Sequence, residues 1–148
     1  IDLPIKGFFS DFHFLSNFHE VEQEVDGKFY TSNEHYYQAC KATNEQDHEW
    51  VRGPPTASES KRRGRKIDIR PDWDDIKQLV MRKGLCAKFS QNTGLRLLLM
   101  STGSAYLEET NYWGDRYWGV CNGVGKNRLG LELMALRESF KMDQFYGD

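Results

Sequence analysis

The spacing of apolar residues changes along this chain, and each change predicts an element. Residues 20–30 carry Val21, Val25, Phe29 and Tyr30 around the pair Asp26-Gly27. Asp-Gly readily supplies the positive φ angles of a tight turn, so this segment is predicted to form a β-hairpin. Thr31 precedes Glu34 by three residues, the spacing of a capping box, which predicts a helix running to about Thr43. Thr56 and Glu59 repeat the pattern and open a short helix stopped by Gly64. After Pro71, Asp72 is the expected N-cap of the longest helix, in which Trp73, Ile76, Val80, Gly84 and Ala87 recur every three or four residues and form the inward stripe. Gln91 to Met100 places Leu95, Leu98 and Leu99 between turn-forming residues and reads as another helix or helix pair. Ala105 to Leu107 is expected to be a short strand. Asn127 is expected to cap a last helix whose Leu129, Leu133, Leu136 and Phe140 share one face. Helix outweighs strand. The expected fold is mainly α, within the α+β class, with a small hairpin or sheet.

Composition narrows the class. The chain has 148 residues, the length of one domain, and neither a repeat nor a Pro/Gly/Ser-rich linker divides it, so residues 1–148 are read as one unit. With 39% hydrophobic residues, including 4 Trp, 7 Tyr and 9 Phe, it offers the burial that disordered chains lack. No apolar run approaches the roughly 18 residues of a membrane span, and no signal-like segment opens the chain. A cytoplasmic location without a membrane partner is the expectation. Cys40, Cys86 and Cys121 are odd in number and widely spaced, which argues for a reducing compartment. These cysteines and His13, His19, His35 and His48 form no C-x-x-C or H-x-x-x-H pair, so neither a metal nor any other cofactor is expected. The formal charge is −2, and any hold on phosphate must therefore come from a local cluster. That weighs against nonspecific nucleic-acid binding.

Three constellations carry chemistry. In Glu34-His35-Tyr36-Tyr37-Gln38-Ala39-Cys40-Lys41, helical spacing puts Glu34, Gln38 and Lys41 on one stripe, which reads either as a solvated face or as a polar wall. Lys61-Arg62-Arg63-Gly64-Arg65-Lys66 holds five cations that either clamp phosphate or offset neighbouring acids. Crowding of this kind also lowers the pKa of a nearby lysine. In the stretch from Asp115 to Asn127, Gly119, Gly123 and Gly125 lead into a helix start, an arrangement suited to an anion, although the spacing is neither that of a P-loop nor that of a dinucleotide fingerprint. Trp118 beside these glycines is either a stacking surface for a base or a core residue at a tight turn.

Taken in order, Ser16-Asn17-Phe18, Val25-Asp26-Gly27, Ser32 to Lys41, Gly64-Arg65, Trp73, Val80 to Lys83, Ala87-Lys88-Phe89, Asp115 to Gly119 and Gly125 to Gly130 resemble the YbiA/RibX-like N-glycosidases of the NADAR superfamily. The resemblance covers nearly the whole chain. It implies a mostly helical domain that cleaves the bond between a phosphorylated ribose and a base-like amine, either a riboflavin-pathway pyrimidine ribosylamine phosphate or an ADP-ribosylated guanine in a nucleotide or nucleic acid. By the same carry-over, Lys41 is the nucleophile through a Schiff base and Glu34 the acid/base. A carboxylate route through Glu34 or Asp115 competes with it. Asn17, Phe18, Gln38, Arg65, Trp118, Gly119, Gly125 and Asn127 are the implied substrate contacts, with Trp118 on the base, Arg65 on phosphate and Asn127 ordering the glycine loop. An ion pair with Glu34 would hold Lys41 protonated, so burial or neighbouring cations must offset it. Val120 and Cys121 after Gly119 depart from the family's usual Asp and glycines. The alternatives are a module that binds an ADP-ribose- or NAD-like ligand without turnover, and a nucleic-acid binder using residues 61–66.

Overall fold

The computed structural model describes residues 2–146, with side chains as far as residue 144. Among them are six α-helices, one 3-10 helix and six short strands in three two-stranded ladders, so the mainly α expectation holds. The chain divides into two compact units, residues 17–91 and residues 1–16 with 92–148.

In the unit of residues 17–91, β2 (Glu20–Val25) and β3 (Lys28–Ser32) form the expected antiparallel hairpin. Asp26 and Gly27 turn it with φ of 53° and 83°, the left-handed pair that a two-residue turn matching strand twist needs. Helix α1 (Asn33–Ala39) follows at once. Its cap is Ser32, whose hydroxyl accepts from the His35 N–H, whereas Thr31 still belongs to β3. The expected Thr31 cap is thus displaced by one residue, because β3 runs on through Ser32, whose extended backbone at φ −160° is where strand gives way to helix. The helix also stops at Ala39, short of Thr43.

Helix α2 (Glu45–Arg52) has no counterpart in the expected elements. It is polar nearly throughout and buries only Val51, so it carries too few apolar positions to form a readable stripe. Helix α3 (Ala57–Gly64) starts at Thr56, which accepts from the Glu59 N–H as expected. Helix α4 (Trp73–Gln91) is long, as foreseen, yet its buried face is Trp73, Met81, Gly84, Leu85, Lys88 and Phe89. Ile76, Val80 and Ala87 of the expected stripe are only half-buried. The rotation follows from Gly84: a Cβ there would overlap Asn33 Oδ1 and the Tyr36 ring, so this position marks where α1 lies directly against α4. Val25, Tyr30, Tyr36, Ala39 and Val51 form the apolar core of this unit, with Tyr30 edge-on to Tyr36 at 5.3 Å.

In the other unit, β1 (Ile5–Lys6) pairs in parallel with β4 (Leu107–Glu108), and β5 (Thr110–Asn111) with β6 (Val120–Cys121). A 3-10 helix (Ser10–Leu15) buries Phe14 and Leu15. Helix α5 (Thr93–Ser101) is joined by α6 (Arg128–Tyr146), in which Leu129, Leu133 and Phe140 are buried and Arg137 donates to Thr102 Oγ1 and the Ala105 carbonyl. The expected cap role of Asn127 is corrected here. Its side chain turns away from α6: Oδ1 accepts from the Glu109 N–H, and Nδ2 donates to the Leu107 carbonyl and the Tyr106 hydroxyl. Its backbone sits at φ 52°, a conformation asparagine tolerates better than most residues.

Candidate active site

Helix α1 is polar and buried at the same time. Asn33, Glu34, His35 and Gln38 are all nearly inaccessible. Such groups need partners, and the neighbouring elements supply most of them. Gln23 Nε2 donates to Asn33 Oδ1 at 2.9 Å, and Asn33 Nδ2 donates to Asn17 Oδ1 at 2.8 Å. Asn17 in turn donates from Nδ2 to Met81 Sδ, and its backbone carbonyl accepts from the Glu34 N–H at 3.0 Å. Asn17 therefore ties the loop before β2 to the start of α1. Burial lowers the His35 pKa, so its neutral ring can donate from Nε2 to the Pro54 carbonyl and accept at Nδ1 from Ser32. That histidine braces the chain rather than facing a ligand.

Glu34 is 6% exposed, and one of its oxygens, Oε2, accepts from Gln38 Nε2 at 2.7 Å. Lys41 lies past the end of α1 in the following turn, where its N–H donates to the Gln38 carbonyl at 3.2 Å and its ammonium lies 5.5 Å from the Tyr37 ring centre. The residue is half-buried. Burial lowers the pKa of its amine. Glu34 opposes that shift, and Lys61, Arg65 and Lys77 reinforce it. Glu34, Gln38, Lys41 and Arg65 are thus brought into one electrostatic neighbourhood within residues 17–91. Phe18 joins it through Lys61, whose ammonium is 5.6 Å from the Phe18 ring centre.

The basic run on α3 divides in two. Arg62 pairs with Glu59 at 2.6 Å. Arg63 lies 3.7 Å from the same carboxylate, donates to the Trp50 carbonyl at 2.7 Å and stacks on the Trp50 ring. Lys61 and Arg65, one helical turn apart, act instead on Lys41. Glu59 at i−3 and i−4 was the signal in the sequence that could have made this separation.

Asp115, Trp118, Gly119, Gly125 and Asn127 belong to the other unit. Asp115 Oδ1 accepts from the N–H groups of both Tyr117 and Trp118, and its own N–H donates to Asn111 Oδ1, so this oxygen holds the turn. Trp118 is half-buried and edge-on to Tyr117 at 4.8 Å. A Cβ on Gly119 would overlap the Glu109 carbonyl, and one on Gly125 would overlap the Gly119 carbonyl. These glycines let the loop close on itself, with Asn127 N–H donating to the Gly119 carbonyl.

Lys88 was missed as a titratable group of interest. It is 0% exposed on α4, its ammonium lies 5.0 Å from the Phe89 ring centre, and burial pushes its pKa down to about 7. Its only signal in the sequence was a cation among apolar neighbours. Among the described residues, no group of three or more His, Cys, Asp and Glu side chains is arranged to hold a metal ion, and no helix is long and apolar enough to cross a membrane.

Known proteins resemble this chain in sequence and in fold. The NADAR domain pattern matches residues 4–141. The chain is 42% identical over 137 residues to the N-glycosidase YbiA of Shigella sonnei, a match covering 90% of this chain and 85% of that protein. It is 38% identical over 131 residues to a riboflavin biosynthesis protein of Vibrio vulnificus, covering 86% of this chain and 35% of that longer one. The NMR structure of the Escherichia coli protein YbiA superposes with a TM-score of 0.87 at 38% identity, over 98% of this chain and 88% of that chain.

Proposed function

The chain belongs to the NADAR domain family and is an N-glycosidase, and from that premise we propose that it hydrolyses a phosphoribosyl- or ADP-ribosyl-amine through a Schiff base on Lys41. The observation that carries the reading is a half-buried amine, drawn toward its neutral form by burial and by Lys61, Arg65 and Lys77, within the field of the buried carboxylate Glu34. A protonated lysine has no lone pair to offer, so these influences make the amine a competent nucleophile.

In such a substrate, C1 of ribose is bonded to an exocyclic nitrogen of the base. Ionised Glu34 takes the proton of the Lys41 ammonium and passes it to the ring oxygen as the ring C1–O bond breaks and the nitrogen lone pair forms a C1=N iminium. The Lys41 amine adds to C1. The base nitrogen then takes a proton and departs with the electrons of its C1–N bond, which leaves the sugar joined to Lys41 as an imine. Water adds at C1, lysine leaves, and the free sugar recloses. Glu34 moves the protons in these steps. Arg65, exposed just beyond α3 and within the field of Lys41, supplies a guanidinium for a substrate phosphate.

The test is borohydride reduction during turnover of ADP-ribosylated guanosine and, separately, of a pyrimidine ribosylamine phosphate. A sugar adduct that maps to Lys41, and loss of both adduct and base release in a folded Lys41→Arg variant, are the expected results. Full base release by that variant refutes the lysine route and favours the carboxylates. Binding of either compound with no base released would instead identify a ligand-binding module.

A further inference from the structure

Gly64 closes α3 without a positive φ to require it, and glycine weakens a helix relative to alanine. What it permits is contact. A Cβ on Gly64 would overlap Gln38 Oε1 and crowd Cδ and Cβ of the same side chain. The Gln38 amide is therefore held between the α3 backbone and the Glu34 carboxylate, to which it donates. Its Oε1 is buried and meets no donor among the described residues. A buried amide oxygen without a partner is costly, and the geometric return on that cost is a fixed Glu34 Oε2.

We infer that Gln38 is a positioning residue that orients the Glu34 carboxylate and favours its ionised form, and that Gly64 is the seat that keeps it there. Gln38 then contacts the acid/base rather than the substrate, and α3 shapes the reaction without contributing a reacting atom. The inference rests on the proposed role of Glu34. A hydrogen bond donated to a carboxylate lowers its pKa, so losing it raises the pH at which the group takes up a proton. Of the charged groups, Lys41 in the turn after α1 interacts with Glu34, and Lys61 of α3, Arg65 just beyond α3 and Lys77 of α4 act on Lys41. All four cations are kept in every variant compared, so a difference among the Gln38 and Gly64 variants reads those two residues alone.

Base release is measured from about pH 5 to 9, with whichever of ADP-ribosylated guanosine and the pyrimidine ribosylamine phosphate the native protein cleaves. The proteins compared are native, Glu34→Gln, Gln38→Leu, Gly64→Ala, Gln38→Ala and the Gln38→Ala/Gly64→Ala pair. For Gln38→Leu we expect kcat to fall about tenfold or more, KM to stay within about twofold, and the acidic limb of the kcat profile to move up by about one pH unit. Gly64→Ala should reproduce that signature, yet add little to Gln38→Ala, because the clashing amide is then gone. A raised KM with kcat and the acidic limb unmoved overturns the inference, since Gln38 would then touch substrate. Equal effects of Gly64→Ala in both backgrounds overturn it as well. If Gln38→Leu does not fold, Gln38→Met removes the donor with an unbranched chain. A carbon-13 titration of the Glu34 carboxyl in native protein and Gln38→Met reads the same effect without catalysis, and equal midpoints refute it. Full turnover by Glu34→Gln would defeat the proposed function instead, while the titration would still decide what Gln38 does.

Discussion

Replacing Lys88 with methionine should remove a pH dependence of stability that this single residue imposes. The side chain is 0% exposed, and its pKa falls from 10.5 to about 7. In the unfolded chain the same lysine keeps its proton up to its ordinary pKa. Between those two values the unfolded state binds more protons than the native state, so stability rises with pH across that window and is lowest at and below its acidic end. Each tenfold loss of proton affinity on folding is worth about 1.4 kcal/mol, so the full effect approaches about 5 kcal/mol, and from pH 7, where the native lysine is half-titrated, to pH 9 it amounts to about 2 kcal/mol. Methionine keeps an unbranched apolar stem of similar volume and so leaves little cavity. Urea unfolding of both proteins at pH 7, 8 and 9 gives the check. The stability of the variant minus that of the native protein should fall by about 1 kcal/mol from pH 7 to 8 and by somewhat more from pH 8 to 9. A constant difference across this range would refute the reasoning, because Lys88 would then hold its proton in the native state as firmly as in water.

Ser32→Ala removes the hydroxyl that accepts from the His35 N–H and reaches the His35 ring at 2.7 Å. Thermal unfolding should show a loss of about 1–2 kcal/mol. Asn127→Ala removes three side-chain hydrogen bonds and places alanine at positive φ, which should cost about 2–4 kcal/mol in urea unfolding. Asn127→Gly keeps the backbone freedom but loses the bonds, and it should recover only part of that loss. Disulfide-exchange labelling at pH 8 should modify exposed Cys86 first. Cys40 should lag well behind, because burial pushes its thiol up to about 11 and only the thiolate reacts.

Local chemistry carried much of this protein in its sequence. The Asp26-Gly27 turn, the Thr56 cap, the length of α4 and the apolar face of α6 depend on bonds and spacings within a few residues, and a linear reading reaches that far. The Glu34, Gln38 and Lys41 grouping was legible for the same reason, although Lys41 proved to stand in the turn beyond α1 rather than on it. Long-range packing decided the rest. The cap passed from Thr31 to Ser32 because β3 runs on through Ser32, where pairing with Glu20 sets the end of the hairpin. Two-residue parallel ladders such as Ile5 with Leu107 have too little periodicity to announce themselves. The burial of Lys88, the convergence of Lys61 and Lys77 on Lys41, and the use of Gly64 as a seat for Gln38 all join residues from different helices. A pKa or an orientation set by such neighbours depends on distance through space, and only the folded chain defines that distance.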